Sequence, residues 1–252
     1  LGSIKFAEKL ESNAISLHSS IGFETFVIEL SSLTDVKDKS LNLLSTLLKD
    51  PNYDEQTLNK LKTIQIGSLK RKENDFDYIA KVELKKLLFK DSALQNPSSG
   101  TIKSLENVNI DDIKEFHENN LILENLIIVA GGDIDYKSLK KDIDSILKNF
   151  KSGKKTELKN ISTSNKAKEK TLTKKTEQAY IYFGSPFNIN PKDENVYIAK
   201  VASFILGGSG FGSRLMEEIR VKRGLAYSAY GYISINNTYS NFNGYLQTKL
   251  ES

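Results

Sequence analysis

The sequence predicts an α+β protein of two similar domains in tandem, each a mostly antiparallel sheet with helices on one face. Three observations carry this. Hairpin-like strand pairs alternate with amphipathic helical stretches, a Gly-Ser–helix–strand order occurs twice, and residues 151–176 lapse into Lys, Ser, Thr and Asn. Interleaved strands and helices bury their apolar faces best as a sheet covered by helices. The polar stretch has the composition of a solvated linker. The expected division is a first domain over 1–150, a linker over 151–176 and a second domain over 177–252.

In chain order, Gly2-Ser3 opens a helical run to Leu10, and Ala14-Ile15-Ser16 leads into strand stretches at 15–18 and 23–30. Helices are predicted at 36–48, 54–72 and 78–88. Apolar residues recur there at Leu41, Leu44 and Leu48, and at Leu58 and Leu61, the spacing of one helix face. Residues 111–119 and 136–150 also read as helices. The nearly continuous apolar run 123–132 predicts a buried central strand.

Beyond the linker, a strand at 179–183 and a helix at 194–205 precede Gly212-Ser213. A helical run to Ile219 and Ala226-Tyr227-Ser228 follow, entering strands at 225–235 and 239–250. The order matches the N-terminal one, as in a duplicated domain. The second copy has a strand and helix before its Gly-Ser pair that the first lacks. The first continues far past its strands, where the second stops. The chain is therefore expected to begin and end in mid-domain.

Composition narrows the function. Hydrophobic residues make up 38% of the chain and aromatic residues 9%, enough for a core, and the mean hydropathy of −0.39 is that of a soluble protein. No run approaches the roughly 18 apolar residues of a membrane helix. The net charge of +4 is spread along the chain without a basic-aromatic module, so neither nucleic acid nor membrane is expected as a partner. With no cysteine, disulfides, thiolate metal sites and cysteine nucleophiles are excluded. The compartment, cytoplasmic or periplasmic, stays open.

The most informative segment runs from Leu206 to Tyr227. Gly207, Gly208, Gly210 and Gly212 remove side chains where a ligand or backbone can come close to the main chain. The loop leads into a helix start at Ser213, a place suited to carbonyls or anions. Ser213 and Arg214 are expected to cap and fix the loop. Arg220 and Tyr227 lie seven residues apart, and both can point toward whatever the loop holds. A plainer arrangement pairs Arg220 with Glu217 or Glu218 on its own helix and leaves Tyr227 to pack. Lys222 and Arg223 read as solvated. No GxxxxGK[ST] or GxGxxG pattern is present, which disfavours a nucleotide loop.

This segment resembles the second domain of the pitrilysin/insulinase family of zinc peptidases. The matching residues are Leu206, Gly207, Gly208, Ser213, Arg214, Leu215, Ile219, Arg220, Lys222 and Gly224-Leu225-Ala226-Tyr227. More diffusely, Pro97, Gly100-Thr101, Leu105, Asp111 to His117 and Asn125 to Asp133 follow the course of that family's first domain. The resemblance implies two domains facing each other as halves of a clam. It also implies an unfolded peptide as substrate, held by the glycine loop and the Arg220/Tyr227 pair. Arg220 would then donate to a substrate carbonyl or developing oxyanion, and Tyr227 would add a hydroxyl donor.

The family's zinc ligands come from a His-x-x-Glu-His motif and a later glutamate. No such motif occurs here. His18, in a strand among serines, and His117, at a helix end, have no second histidine at ligand spacing. Counting back from Phe89-Lys90-Asp91 places Ser68 at the third ligand's position, on the inward face expected for Leu61 and Ile64. A serine there is not a zinc ligand, and Glu73 fits only if the alignment slips. The expectation is a chain without its own zinc site. Zinc would lie in a catalytic partner or in a segment upstream of these residues. The chain would form a homodimer or pair with a catalytic family member. An active zinc endopeptidase with an upstream motif and a purely structural scaffold are the alternatives.

Overall fold

The computed structural model describes residues 2–148 and 150–251. Asn149, inside the expected helix 136–150, lies outside the described residues, as do Leu1 and Ser252 at the ends of the expected domains. The elements of the first half are α1 (Ser3–Glu11), β1 (Ser16–Ile21), β2 (Phe26–Ser31), α2 (Lys37–Lys49), α3 (Glu55–Lys72) and α4 (Phe76–Leu88). They are followed by α5 (Ile102–Asn107), α6 (Ile110–Asn120), α7 (Tyr136–Leu147), β3 (Gln178–Pro186), α8 (Val196–Ser203), β4 (Ser228–Ile235) and β5 (Ser240–Lys249). By contact, the chain separates into two compact units, Leu1–Lys62 with Glu106–Glu157, and Thr63–Leu105 with Leu158–Ser252.

In the first unit, α1 ends through Ala14, whose φ of 51° is left-handed, while Ile15 N–H donates to the Leu10 carbonyl at 3.0 Å. The turn buries Ile15 and launches β1, which pairs antiparallel with β2 from Ser16↔Ser31 to Ile21↔Phe26. A four-residue loop joins them, closed by Gly22 N–H donating to the Thr25 carbonyl at 2.8 Å. Helix α6 starts with a capping box in which the Asn109 side chain accepts from Asp111 and Asp112 N–H, and Asp112 accepts from Asn109 N–H. Asp135 caps α7 by accepting from Ser138 N–H at 2.7 Å. Lys37 of α2 bonds Asp142 of α7 at 2.8 Å.

The second unit repeats the first one's opening move. A helical segment ends through Gly224, with φ of 63°, and Leu225 N–H donates to the Ile219 carbonyl at 3.0 Å. The hairpin of β4 and β5 follows, again joined by a four-residue loop, closed by Asn236 N–H donating to the Tyr239 carbonyl at 2.9 Å. Helix, left-handed turn and hairpin therefore recur, with Ala14 standing where Gly224 stands. β3 adds to the far edge of β5, giving an antiparallel sheet in the order β3-β5-β4.

The two faces of this sheet differ. Tyr180, Tyr182, Tyr230, Tyr232, Asn241, Asn243, Tyr245 and Gln247 alternate with Ile181, Phe183, Ala229, Gly231, Phe242 and Leu246 along the strands. The second, apolar set meets the helical cover built from α8 and the loop beyond it. The tyrosine face meets α4, capped at its start by Asp75 accepting from Tyr78 N–H at 3.0 Å. Tyr182 donates its hydroxyl to Asp77 Oδ1 at 3.0 Å. A Cβ on Gly184 would lie 2.8 Å from Leu88 Cδ1, so the helix sits hard against the sheet. Leu88, Phe89 and Leu94 form a buried cluster, with Leu84, Ile161 and Tyr239 packed around it.

Two sequence expectations are corrected. Residues 123–132 form no strand: Leu123–Asn125 is a 3-10 turn, and Ile127 and Val129 are 89% and 90% exposed. A buried strand needs neighbours on its edges, and among the described residues the first unit's sheet holds only β1 and β2. On α3 the buried positions are Leu58 and Leu69, whereas Leu61 and Ile64 are 58% and 57% exposed. Ser68 adjoins the buried Leu69 rather than sharing an inward face with those two. The polar stretch 151–176 forms no helix or strand and is held at a few points. Ile161 N–H donates to the Thr238 carbonyl at 2.7 Å, Ser164 N–H donates to the Leu88 carbonyl at 2.8 Å, and Lys170 pairs with Glu83 at 2.6 Å.

Glu83 also holds Lys86 at 2.6 Å and is only 15% exposed. Burial alone would raise its pKa, but Lys170 and Lys86 outweigh that and hold the carboxyl below its ordinary range. The stability it contributes is therefore present above its unfolded value of about pH 4.3 and is lost as pH falls. Melting curves should show the wild type losing roughly 1 kcal/mol more than Glu83→Gln between about pH 6 and pH 3. Equal losses would mean the bridge contributes nothing.

Candidate functional site

The glycine loop begins where α8 widens into a π-helical turn, Phe204–Gly208, and continues as a 3-10 turn, Gly210–Gly212. Such widened turns free the backbone from regular bonding and occur often at functional sites. Ser213 is fully buried, and its hydroxyl accepts from Met216 N–H at 3.3 Å, the capping role expected of it. A second π-helical segment, Met216–Val221, carries Arg220.

The four glycines serve different ends. Gly207 is buried, and a Cβ there would lie 2.1 Å from Gly231 N on β4. Its bareness lets helix and strand touch. On Gly208 a Cβ would come within 3.3 Å of the Ser203 carbonyl oxygen. Gly210 has φ of 63°, a backbone that side chains resist. At Gly212 the nearest atom to a built Cβ is Ser209 Oγ at 3.9 Å, so folding does not require glycine there.

Arg220 and Tyr227 are brought together, but not side chain to side chain. Arg220 Nη1 donates to the Tyr227 backbone carbonyl at 2.7 Å, and its guanidinium lies 4.9 Å from the Phe211 ring centre. Tyr227 N–H donates to the Gln247 carbonyl at 2.7 Å, which ties the same residue to β5. The residue is 43% exposed. Arg220 does not pair with Glu217 or Glu218. Glu218 instead holds Lys222 at 2.5 Å and Arg223 at 2.9 Å, so these two cations are engaged rather than merely solvated. Lys222 and Arg223 hold the Glu218 carboxyl below its ordinary range. Phe211, which sequence reasoning passed over, is the residue that orients Arg220.

The histidines and Ser68 do not make a metal site. His18 is exposed on β1 opposite Glu29, and His117 meets Tyr53 edge to face at 6.2 Å. Among the described residues no group of three or more His, Cys, Asp or Glu side chains is placed to hold a metal ion. No described helix is long and apolar enough to cross a membrane.

Residues 107–251, more than half of the chain, match the family model described as the peptidase M16 inactive domain. The chain belongs to the peptidase M16 family. The resemblance to pitrilysin and insulinase read from residues 206–227 is thereby confirmed. Among M16 relatives, the whole chain is 41% identical to a protein named non-peptidase homolog YmxG of Helicobacter pylori, of which it spans 58%. It is 31% identical over 156 residues to an uncharacterized zinc protease of Streptomyces coelicolor, covering 58% of this chain and 33% of that protein. A crystal structure of a peptidase M16 inactive domain from Pseudomonas fluorescens superposes with a TM-score of 0.84 at 21% identity, over 98% of this chain and 60% of that one. That likeness establishes the α+β fold. The chain spans less than two thirds of the length of each of these proteins.

Proposed function

We propose that this chain is a non-catalytic M16 member that binds unfolded peptide through Gly212, Arg220 and Tyr227. The carrying observation is the state of Arg220. One of its five N–H donors is fixed on the Tyr227 carbonyl and its plane is set by Phe211, so the remaining donors are pre-oriented yet unspent. Gly212 leaves space beside the start of the same helix. An extended peptide, which carries unpaired carbonyls along its length, supplies the acceptors such a cluster lacks. Gly207, Gly208 and Gly210 shape the loop rather than meet the peptide.

Zinc chemistry in this reading belongs to a catalytic M16 partner or to an upstream segment of the full-length protein. The relative named as a non-peptidase homolog supports the non-catalytic side, and the one named as a zinc protease keeps the upstream motif in view. Elemental analysis of the full-length protein separates these: about one zinc per chain by ordinary metal stoichiometry would favour the peptidase.

The direct test is fluorescence anisotropy with a labelled, permanently unfolded peptide. Arg220→Ala should weaken binding about ten- to a hundredfold, the worth of one hydrogen bond from a charged donor, with an unchanged melting temperature. Equal affinity in the variant, or no binding by the wild type, would leave a structural scaffold as the better reading.

A further inference from the structure

Between α4 and the tyrosine face of the second unit's sheet lies a cavity of about 160 Å3, unconnected with the glycine loop in its lining. Its helix wall presents Lys81 and Lys85, one turn apart. Its sheet wall presents Tyr232 and Ser234 of β4 and Asn241 and Asn243 of β5. Two lysines on one turn repel each other unless an anion offsets them. Among the described residues neither lysine is in an ion pair: Glu83 is occupied by Lys86 and Lys170, and Asp77 accepts from the Tyr182 hydroxyl. Burial and the charge of Lys81 hold the Lys85 ammonium below its ordinary range, as expected of a half-buried cation without a counter-ion.

The neutral polar groups opposite are already ordered. Asn241 Nδ2 donates to Asn243 Oδ1 at 2.7 Å, and Asn243 Nδ2 donates to the Ser234 hydroxyl at 3.3 Å. Each ammonium is a donor without acceptors, so the complementary guest is an anion. Leu84, Leu88 and Phe89 supply an apolar wall beside them, which suits the methylenes of a carboxylate-bearing chain better than a fully hydrated ion. The space is smaller than the roughly 300 Å3 at which small-molecule pockets begin, so a nucleotide is too large.

We propose that the Lys81/Lys85 cavity is a binding site for a single carboxylate, presented either by an acidic residue of a peptide or by a small free acid. The amidated, N-acetylated peptide Gly-Glu-Gly, its Gly-Gln-Gly counterpart and free glutarate serve as probes in low-salt calorimetry and amide chemical-shift mapping. The glutamate peptide should bind saturably, about tenfold tighter than the glutamine one, the weight of one charge-assisted hydrogen bond.

Lys85→Met and Lys81→Met should each abolish that preference. Methionine keeps the aliphatic stem of Lys85, and Lys81 is exposed, so both variants should fold with the wild-type circular dichroism spectrum. Tighter binding of the peptide than of glutarate identifies a peptide as the source, and the reverse a free acid. Absence of saturable binding by all probes, or a preference that survives both variants, overturns the site. These probes do not involve Arg220, so the outcome stands whether or not the glycine-loop reading holds.

Discussion

Gly207→Ala should cost the second unit about 3 kcal/mol, the upper end of overpacking penalties in a filled core, and lower the melting temperature by roughly 10 °C. The added Cβ would stand 2.1 Å from Gly231 N, 2.6 Å from Gly231 O and 2.8 Å from Gly231 Cα. These are backbone atoms of a central stretch of β4, where Gly231 faces Gly244 of β5. They have no rotamer by which to escape. Relief requires the helical turn to lift away from the sheet, which would open the contact between Ser203 Oγ and Ile233 N–H, 3.0 Å in the native fold. Gly212→Ala is the control. It lies on the same loop, but its Cβ meets nothing closer than 3.9 Å, and its melting temperature should stay within about 2 °C of wild type, as for ordinary surface changes. If both variants melt alike, the packing account of Gly207 is wrong.

The contrast between these two glycines shows how far the sequence could be read. Periodicity located α2, α3, α4, α6, α7, α8 and every strand of the second unit to within a few residues, because each buries one face against a neighbour present in the chain. The run 123–132 misled for the complementary reason. Its apolar character encodes burial, yet burial as a strand depends on an edge that no periodicity can supply. The inward face of α3 was misassigned because Leu58, Leu61, Ile64 and Leu69 all fit a helical stripe, and only packing selects Leu58 and Leu69.

At the candidate site, Arg220 and Tyr227 were legible as neighbours because only six residues separate them and the arginine side chain reaches across to the Tyr227 carbonyl. The means were not legible: the acceptor is a main-chain carbonyl, and the aromatic partner is Phe211, nine residues earlier in a loop read only for its glycines. Glycine composition could not distinguish Gly207, needed by Gly231, from Gly212, needed by nothing in the fold. Nor could it reveal the lysine cavity, since α4 and the strands facing it are far apart in sequence.

Met216→Ala should be comparably damaging to Gly207→Ala, and its consequence reaches the candidate site. Met216 is the only methionine of the chain and is completely buried, as is Ala229. Its sulfur accepts from Ala229 N–H at 3.3 Å, and its own N–H donates to the buried Ser213 hydroxyl. One side chain thus pins the segment bearing Arg220 to the strand that begins just after Tyr227. Truncation removes a whole buried thioether and leaves a cavity, at about 2–5 kcal/mol. Met216→Leu keeps the volume and should cost under about 1.5 kcal/mol. Peptide affinity should follow the same order, because Arg220 donates across the junction that Met216 closes. In Met216→Ala its guanidinium is no longer held at 2.7 Å from the Tyr227 carbonyl, and the preorganisation is lost even where the fold survives at low temperature. Denaturant melts and anisotropy titrations on the two variants check this. A Met216→Ala protein that binds peptide as tightly as wild type would mean that the Arg220–Tyr227 geometry does not matter for binding.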